Sequence, residues 1–168
     1  VPAAKPVPSA RPEPARDLED QFEYGTLDAG AADPRLLATH PGYEPYVNPR
    51  FGFSLDAPKA LTSMPPPTNG DGLQWRLGTL VAMTASGMYS PYEGAPKCAS
   101  TPSVTGHRET KNTCWATGKR GRYIFWERSI VKDGVLFSLR FQYEESLKEA
   151  MDPIVGHVNA SWKQPGTP

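Results

Sequence analysis

The chain has 168 residues, enough for one domain and a tail, and its 18 basic and 18 acidic side chains leave no formal net charge. Coating nucleic acid or an anionic membrane needs a surplus of Lys and Arg, so that class is set aside. Nowhere does the sequence reach the roughly 18 consecutive apolar residues of a membrane span.

The sequence begins at Val1 with no secretory leader, and the expectation is a mature or trimmed form. Residues 1–16, VPAAKPVPSARPEPAR, mix Pro and Ala with isolated charges and contain no Leu, Ile or Phe. Such a segment buries too little surface to offset its ordering entropy, which predicts a disordered, partly polyproline tether. A passive tail is the plainer alternative. Residues 17–42 are intermediate in texture. Asp33-Pro34 before Arg35, Leu36 and Leu37 sets a capping residue ahead of a first-turn proline. One or two helical turns are expected there, ending before Pro41-Gly42. Phe22, Tyr24 and Leu27 are candidates to dock on the domain that follows.

That domain is expected over residues 43–163. Phe51, Phe53 and Leu55 alternate with Gly52, Ser54 and Asp56, the period of a half-buried strand, which Pro58 ends. Met64-Pro65-Pro66-Pro67 cannot sit in a central strand, because proline has no ladder donor. Asn69-Gly70-Asp71-Gly72 supplies residues that tolerate positive φ and predicts a tight turn. Leu73–Leu77 alternates again, and Leu80–Ala85 reads as a strand covered on both faces. Residues 86–102 read as a long loop. Short strands are expected at Val104–Glu109 and Thr113–Thr117. Arg122–Val131 and Val135–Tyr143 are the best strand signals, joined by Lys132-Asp133-Gly134 as a hairpin. Ser146–Met151 reads as a helical turn or two. Asp152-Pro153 then restarts a helix whose Ile154, Val158 and Trp162 share one face and pack on the sheet. Residues 164–168 are expected to fray.

Few residues invite chemistry. His40, His107 and His157 show no ligand spacing, and ordinary partly exposed histidines account for them. No GxSxG is present, and Ser86 and Ser129 have no adjoining motif to supply a base. Glu19-Asp20 and Glu144-Glu145 are neighbours in sequence, whereas sugar hydrolysis needs carboxyls facing across a cleft. Asn69, Asp71 and Asp56 lack the spacing and closing Glu of a calcium loop. Lys119-Arg120-Gly121-Arg122-Tyr123-Ile124-Phe125 misses the register of an RNA-binding signature and reads as a hairpin turn with solvated cations. Cys98 and Cys114 fit neither CxxC chemistry nor a zinc site, which leaves a disulfide or two free thiols. No catalytic, cofactor-binding or metal-binding residue is assigned, and no cofactor is expected.

The pattern resembles a group of uncharacterised exported proteins of Gram-negative bacteria. Its marks are a Tyr-x-Asn-x-Arg-Phe/Tyr-Gly-Phe-Ser stretch, a proline, an Asn-Gly-Asp-Gly turn and a late hairpin running into a C-terminal helix. Here these are Tyr46, Asn48, Arg50, Phe51, Gly52, Phe53 and Ser54, then Pro58, Asn69 to Gly72, Tyr123 to Tyr143, and the helix to Trp162. Where many of those proteins follow with an acidic Asp-Gly turn, this chain has Leu77-Gly78-Thr79. More distantly the pattern is similar to the PsbP-type fold, named for an extrinsic subunit of photosystem II. That implies an α+β domain, an antiparallel sheet packed by helices including the C-terminal one. It also implies export to the periplasm or beyond, a Cys98–Cys114 disulfide and a non-catalytic role. The resulting expectation is a monomeric envelope protein that serves as an interaction or accessory module for an envelope protein or ligand. From a pathogen, it would be visible to host antibodies. Met88, Tyr89, Pro91 and Tyr92 form the candidate interaction patch, since loop aromatics mark binding surfaces. An envelope hydrolase and a small-ligand carrier are the alternatives.

Overall fold

The computed structural model describes residues 33–90, 96–98 and 103–167. The expected tether at 1–16, and Phe22, Tyr24 and Leu27, lie outside the described residues. The expected first helix is a single turn, Leu36–Thr39 (α1), and it starts two residues late. Asp33 bonds the Arg35 backbone and guanidinium with Oδ1 (both 2.9 Å), so the cap folds onto its neighbour. That contact lowers the Asp33 pKa.

The motif around Asn48 folds as a hairpin, where one strand was expected. Tyr43–Val47 (β1) pairs antiparallel with Ser54–Pro58 (β2), with Tyr46 opposite Leu55. Gly52 turns the chain at φ 68°, a conformation that side chains with a Cβ rarely adopt. Asn48 holds the turn from inside and is only 1% exposed. Its Oδ1 accepts from the backbone N–H of Phe51 (2.7 Å) and of Arg50 (3.1 Å). Its Nδ2 donates to the Gly70 carbonyl (3.0 Å), and Arg50 Nη1 reaches the Asn69 carbonyl (2.7 Å) and Asp71 Oδ1 (2.6 Å). The two sequence motifs are therefore bonded to each other. The alternation survives beyond the turn, where Phe53, Leu55 and Ala57 point into the core.

The remaining strands are Thr62–Ser63 (β3), Gly72–Leu77 (β4), Val81–Tyr89 (β5), Val104–Glu109 (β6), Thr113–Arg120 (β7), Tyr123–Lys132 (β8) and Val135–Glu144 (β9). They form one antiparallel sheet in the order β3-β4-β5-β9-β8-β7-β6. The chain meanders from β3 to β5, crosses to the far edge and meanders back until β9 meets β5. Ser86–Tyr89, read from sequence as loop, continues β5, because Gly87 and Tyr89 pair with Phe137 and Val135. Asp133 (φ 52°) and Gly134 (φ 74°) both take the left-handed conformation that the expected β8–β9 turn requires.

One face of the sheet is apolar. Trp75, Met83, Leu139 and Phe141 lie there at most 2% exposed. Hairpin β1–β2 and the helix Lys148–Ser161 (α2) cover it. The helix is continuous, preceded by a 3-10 turn at Glu145–Leu147, so Asp152-Pro153 does not restart it. Pro153 lies inside α2 and forgoes the bond its N–H would give to the Glu149 carbonyl. The buried stripe is Met151, Val155, Val158 and Trp162, while Ile154 is half-buried at its edge. The expected spacing of four drifts around a helix of 3.6 residues per turn. The other face carries a smaller cluster, in which the Cys98–Cys114 disulfide packs with Ala116 and Val104. Residues expected to fray are tied down through 167. Lys163 and Ser54 exchange backbone bonds (both 2.9 Å), and Lys132 Nζ donates to the Pro165 carbonyl.

Asn48→Ala leaves buried backbone groups on two loops unpaired, and a loss of about 3 kcal/mol is expected from urea unfolding. Cys98→Ser with Cys114→Ser opens a closed loop and is expected to cost about 3 kcal/mol on the same measurement.

Candidate functional site

Three surface features gather side chains that could act. The first is the end of β5, where Met88 is 54% and Tyr89 67% exposed. The Tyr89 ring meets Phe51 edge-on (5.2 Å between centroids), and the Arg50 guanidinium lies 5.0 Å from the Phe51 centroid and 5.7 Å from that of Tyr89. Gly87 permits this, since a Cβ there would stand 2.8 Å from the Phe51 ring. Asp71 and the Asn69 carbonyl fix Arg50 in place. The sequence marks Met88 and Tyr89 but as part of a loop, and gives no sign of Arg50 and Phe51 as the partners of Tyr89. Pro91 and Tyr92 lie outside the described residues.

The second is a groove of about 460 Å³ between α2 and strands β7 and β8. Ile124 and half-buried Trp126 are on its strand side, with Trp126 edge-to-face on Phe141 at 5.8 Å. Val155, Gly156 and Asn159 line it from the helix. Lys119 and Glu145 pair at 2.6 Å on its rim, and Lys148 pairs with Asp152 one turn along α2. The Tyr143 hydroxyl donates to Asp152 Oδ1 (3.3 Å). Burial, and then the Asp152 charge, push that phenol up to about 12, so it stays neutral and can donate at ordinary pH. Arg128 Nη1 donates to Asn159 Oδ1 (2.9 Å). Gly156 is unusual. A glycine inside a helix costs about 1 kcal/mol relative to alanine. Nothing lies within 4 Å of where its Cβ would be, so close packing does not demand it.

The third is a groove of about 380 Å³ where α1 and the β1–β2 hairpin meet α2, lined by Leu37, Tyr43, Pro58, Pro153 and Ile154. At Tyr43 the ring stacks on His157 (3.7 Å, 15°), and His157 Nε2–H donates to Asp56 Oδ2 (3.0 Å). Burial, helped by Asp56, raises the Tyr43 phenol. A histidine held by a carboxylate is two of the three members of an acyl-transfer triad. The nearby Ser161 hydroxyl is otherwise engaged, accepting from the Asp56 N–H and donating to the Val158 carbonyl (both 3.0 Å). His157 and Asp56 are each 44% exposed. The His107 ring pairs with Glu109 (3.1 Å) on β6, and both residues are exposed. Among the described residues no three His, Cys, Asp or Glu side chains converge to hold a metal ion. Nor, among them, is any helix long and apolar enough to cross a membrane.

No family model and no curated protein matches the chain. Solved structures do match. One is the solution structure of the cyanobacterial PsbP (CyanoP) of Synechocystis sp. PCC 6803, at 9% identity and a TM-score of 0.53. The match covers 73% of this chain and 92% of that one. It shows a PsbP-like α+β fold, as the sequence pattern implied.

The phenol of Tyr143 has a folded pKa above its unfolded value, so its contribution to stability is complete below pH 10 and lost as pH rises through about 12. Wild type is expected to lose about 2 kcal/mol across that window relative to Tyr143→Phe, read from urea midpoints.

Proposed function

We propose that the chain is an exported, non-enzymatic cell-envelope protein that serves as an interaction or accessory module. The carrying observation is the patch at the end of β5. Met88 and Tyr89 stand more than half exposed, and Tyr89 is braced by Phe51 and by an Arg50 already anchored from behind. A rigid Tyr–Arg cluster loses little entropy on contact, which is the character of an interface hot spot. The disulfide supports an oxidising compartment, consistent with the periplasm or the exterior. The PsbP-like fold and the resemblance to exported Gram-negative proteins agree with that placement. From a pathogen, a protein so placed would be visible to host antibodies. A small-ligand carrier is the second reading, and the groove of about 460 Å³ beside α2 favours it because its size suits a bound small molecule.

Cross-linking in the envelope fraction tests the first reading. Wild type is expected to capture a defined partner that Tyr89→Ala with Met88→Asp loses at least about tenfold, the size of a single hot-spot residue. Both side chains are exposed, so the double variant should fold normally by circular dichroism. Equal capture by the two proteins, or turnover of a model ester or glycoside, would displace it.

A further inference from the structure

We propose that the groove between α2 and strands β7 and β8 binds a neutral saccharide. The inference rests on the ligand-carrier reading and shares no residue with the Tyr89 patch. A sugar ring has two chemical aspects. Its C–H face is apolar and weakly positive, and it packs on the negative face of an aromatic ring. Its rim of hydroxyls both donates and accepts. The groove offers a counterpart to each. Trp126 and Ile124 give it an apolar side, and Trp126 is held in orientation by Phe141. Around them stand ammonium donors on Lys119 and Lys148, carboxylate acceptors on Glu145 and Asp152, and the Asn159 amide.

The charges decide between ligand classes. Lys119 is paired with Glu145, and Lys148 with Asp152, so these rim charges sum to zero. An anion would meet a carboxylate beside each ammonium, and a cation an ammonium beside each carboxylate, so neither gains a net attraction. A hydroxyl can instead join the edge of an ion pair without undoing it, because carboxylate oxygens and ammonium protons have capacity to spare. A lipid chain is a poorer fit, since Lys119, Glu145, Lys148 and Asp152 are all exposed at the mouth and keep it wet. Gly156 completes the shape. It is the helical residue whose missing side chain leaves open space in the groove wall, where a ring could approach the backbone. The volume suits a ligand of disaccharide size.

Amide and indole chemical shifts of the full chain, titrated with chitotriose and with cellotriose, test the proposal. Decanoate and inorganic phosphate serve as controls. Saturable shifts at the Trp126 indole N–H, Gly156 and the Asn159 amide are expected with at least one saccharide and with neither control. Gly156→Leu fills the groove without disturbing the core and replaces a poor helix former, so its Tm should hold or rise. Its saccharide affinity should fall at least about tenfold. A Gly156→Leu protein that binds as wild type does would overturn the assignment. Shifts at the groove with decanoate or phosphate alone would sink the saccharide and leave the carrier reading standing. No shift with any probe would remove both.

Discussion

Two loops 22 residues apart in sequence share one buried amide. Asn48 satisfies the Phe51 and Arg50 N–H groups of its own turn and caps the Gly70 carbonyl of the other. Burying four polar valences is costly unless each is met, and here two backbone donors, the Gly70 carbonyl and the Tyr46 hydroxyl meet all four. Much of the architecture depends on this knot. It closes the β1–β2 hairpin, which lays Phe53, Leu55 and Ala57 on the sheet. It also sets the turn from which β4 departs, and the Asp71 carbonyl of that turn accepts the Gly87 N–H of β5 (2.8 Å). The same region supports Arg50, so the exposed aromatic patch and the hairpin have a common foundation. An interaction surface built this way is rigid because its underside belongs to the core.

The C-terminal strap closes the hairpin from the opposite side. Lys163 bonds Ser54 in both directions, and the Asp56 N–H is taken by Ser161 at the end of α2. The first strands of the domain are thus clamped by its last residues. This explains why Gln164 is buried and why Lys132, on the β8–β9 hairpin, reaches the Pro165 carbonyl. A segment rich in Gly and Pro has little reason in its own composition to be ordered. Its order comes from Lys132, 33 positions earlier, and from the Ser54–Lys163 bonds at its start, and no local reading could supply them.

That contrast runs through the whole comparison of sequence with structure. The β8–β9 hairpin was legible because alternation and an Asp-Gly turn are local signals, and the observed register agrees with both. Helix α2 was legible as a helix, and Val158 and Trp162 do lie in its buried stripe, but Val155 takes the place expected of Ile154, since a period of four tracks a real helix for barely two turns. The end of β5 reads as loop because Ser86-Gly87-Met88-Tyr89 has a turn-like composition, and only pairing with β9 makes it strand. Asn48 is marked only as part of the resemblance motif, and nothing in its neighbours signals its burial. A polar residue between Val47 and Pro49 looks solvated until the Asn-Gly-Asp-Gly turn is folded against it. The disulfide came from resemblance and not from spacing. The grooves could not be foreseen, as each is assembled from elements distant in sequence.

The groove beside α2 follows from simple dimensions. Strands lie about 4.8 Å apart, so a seven-stranded sheet is about 29 Å across. A helix with its side chains is about 10 Å wide and covers only two or three strands. The β1–β2 hairpin meets the sheet at Trp75 of β4 and Phe137 of β9, through Tyr46 and Phe53, and α2 packs on β9. No described element is left to cover β7 and β6 on that face, and half-buried Trp115 and Trp126 mark the boundary. Soluble proteins usually fill such a shoulder with long side chains. Here Gly156, one of the α2 residues on the groove wall, adds no side chain, and the nearby long side chains of Lys119 and Lys148 are drawn to carboxylates. The shoulder is thereby kept open by side-chain choice as well as by sheet width. That shoulder has room for a ligand, whereas the His157 ring is already stacked and bonded.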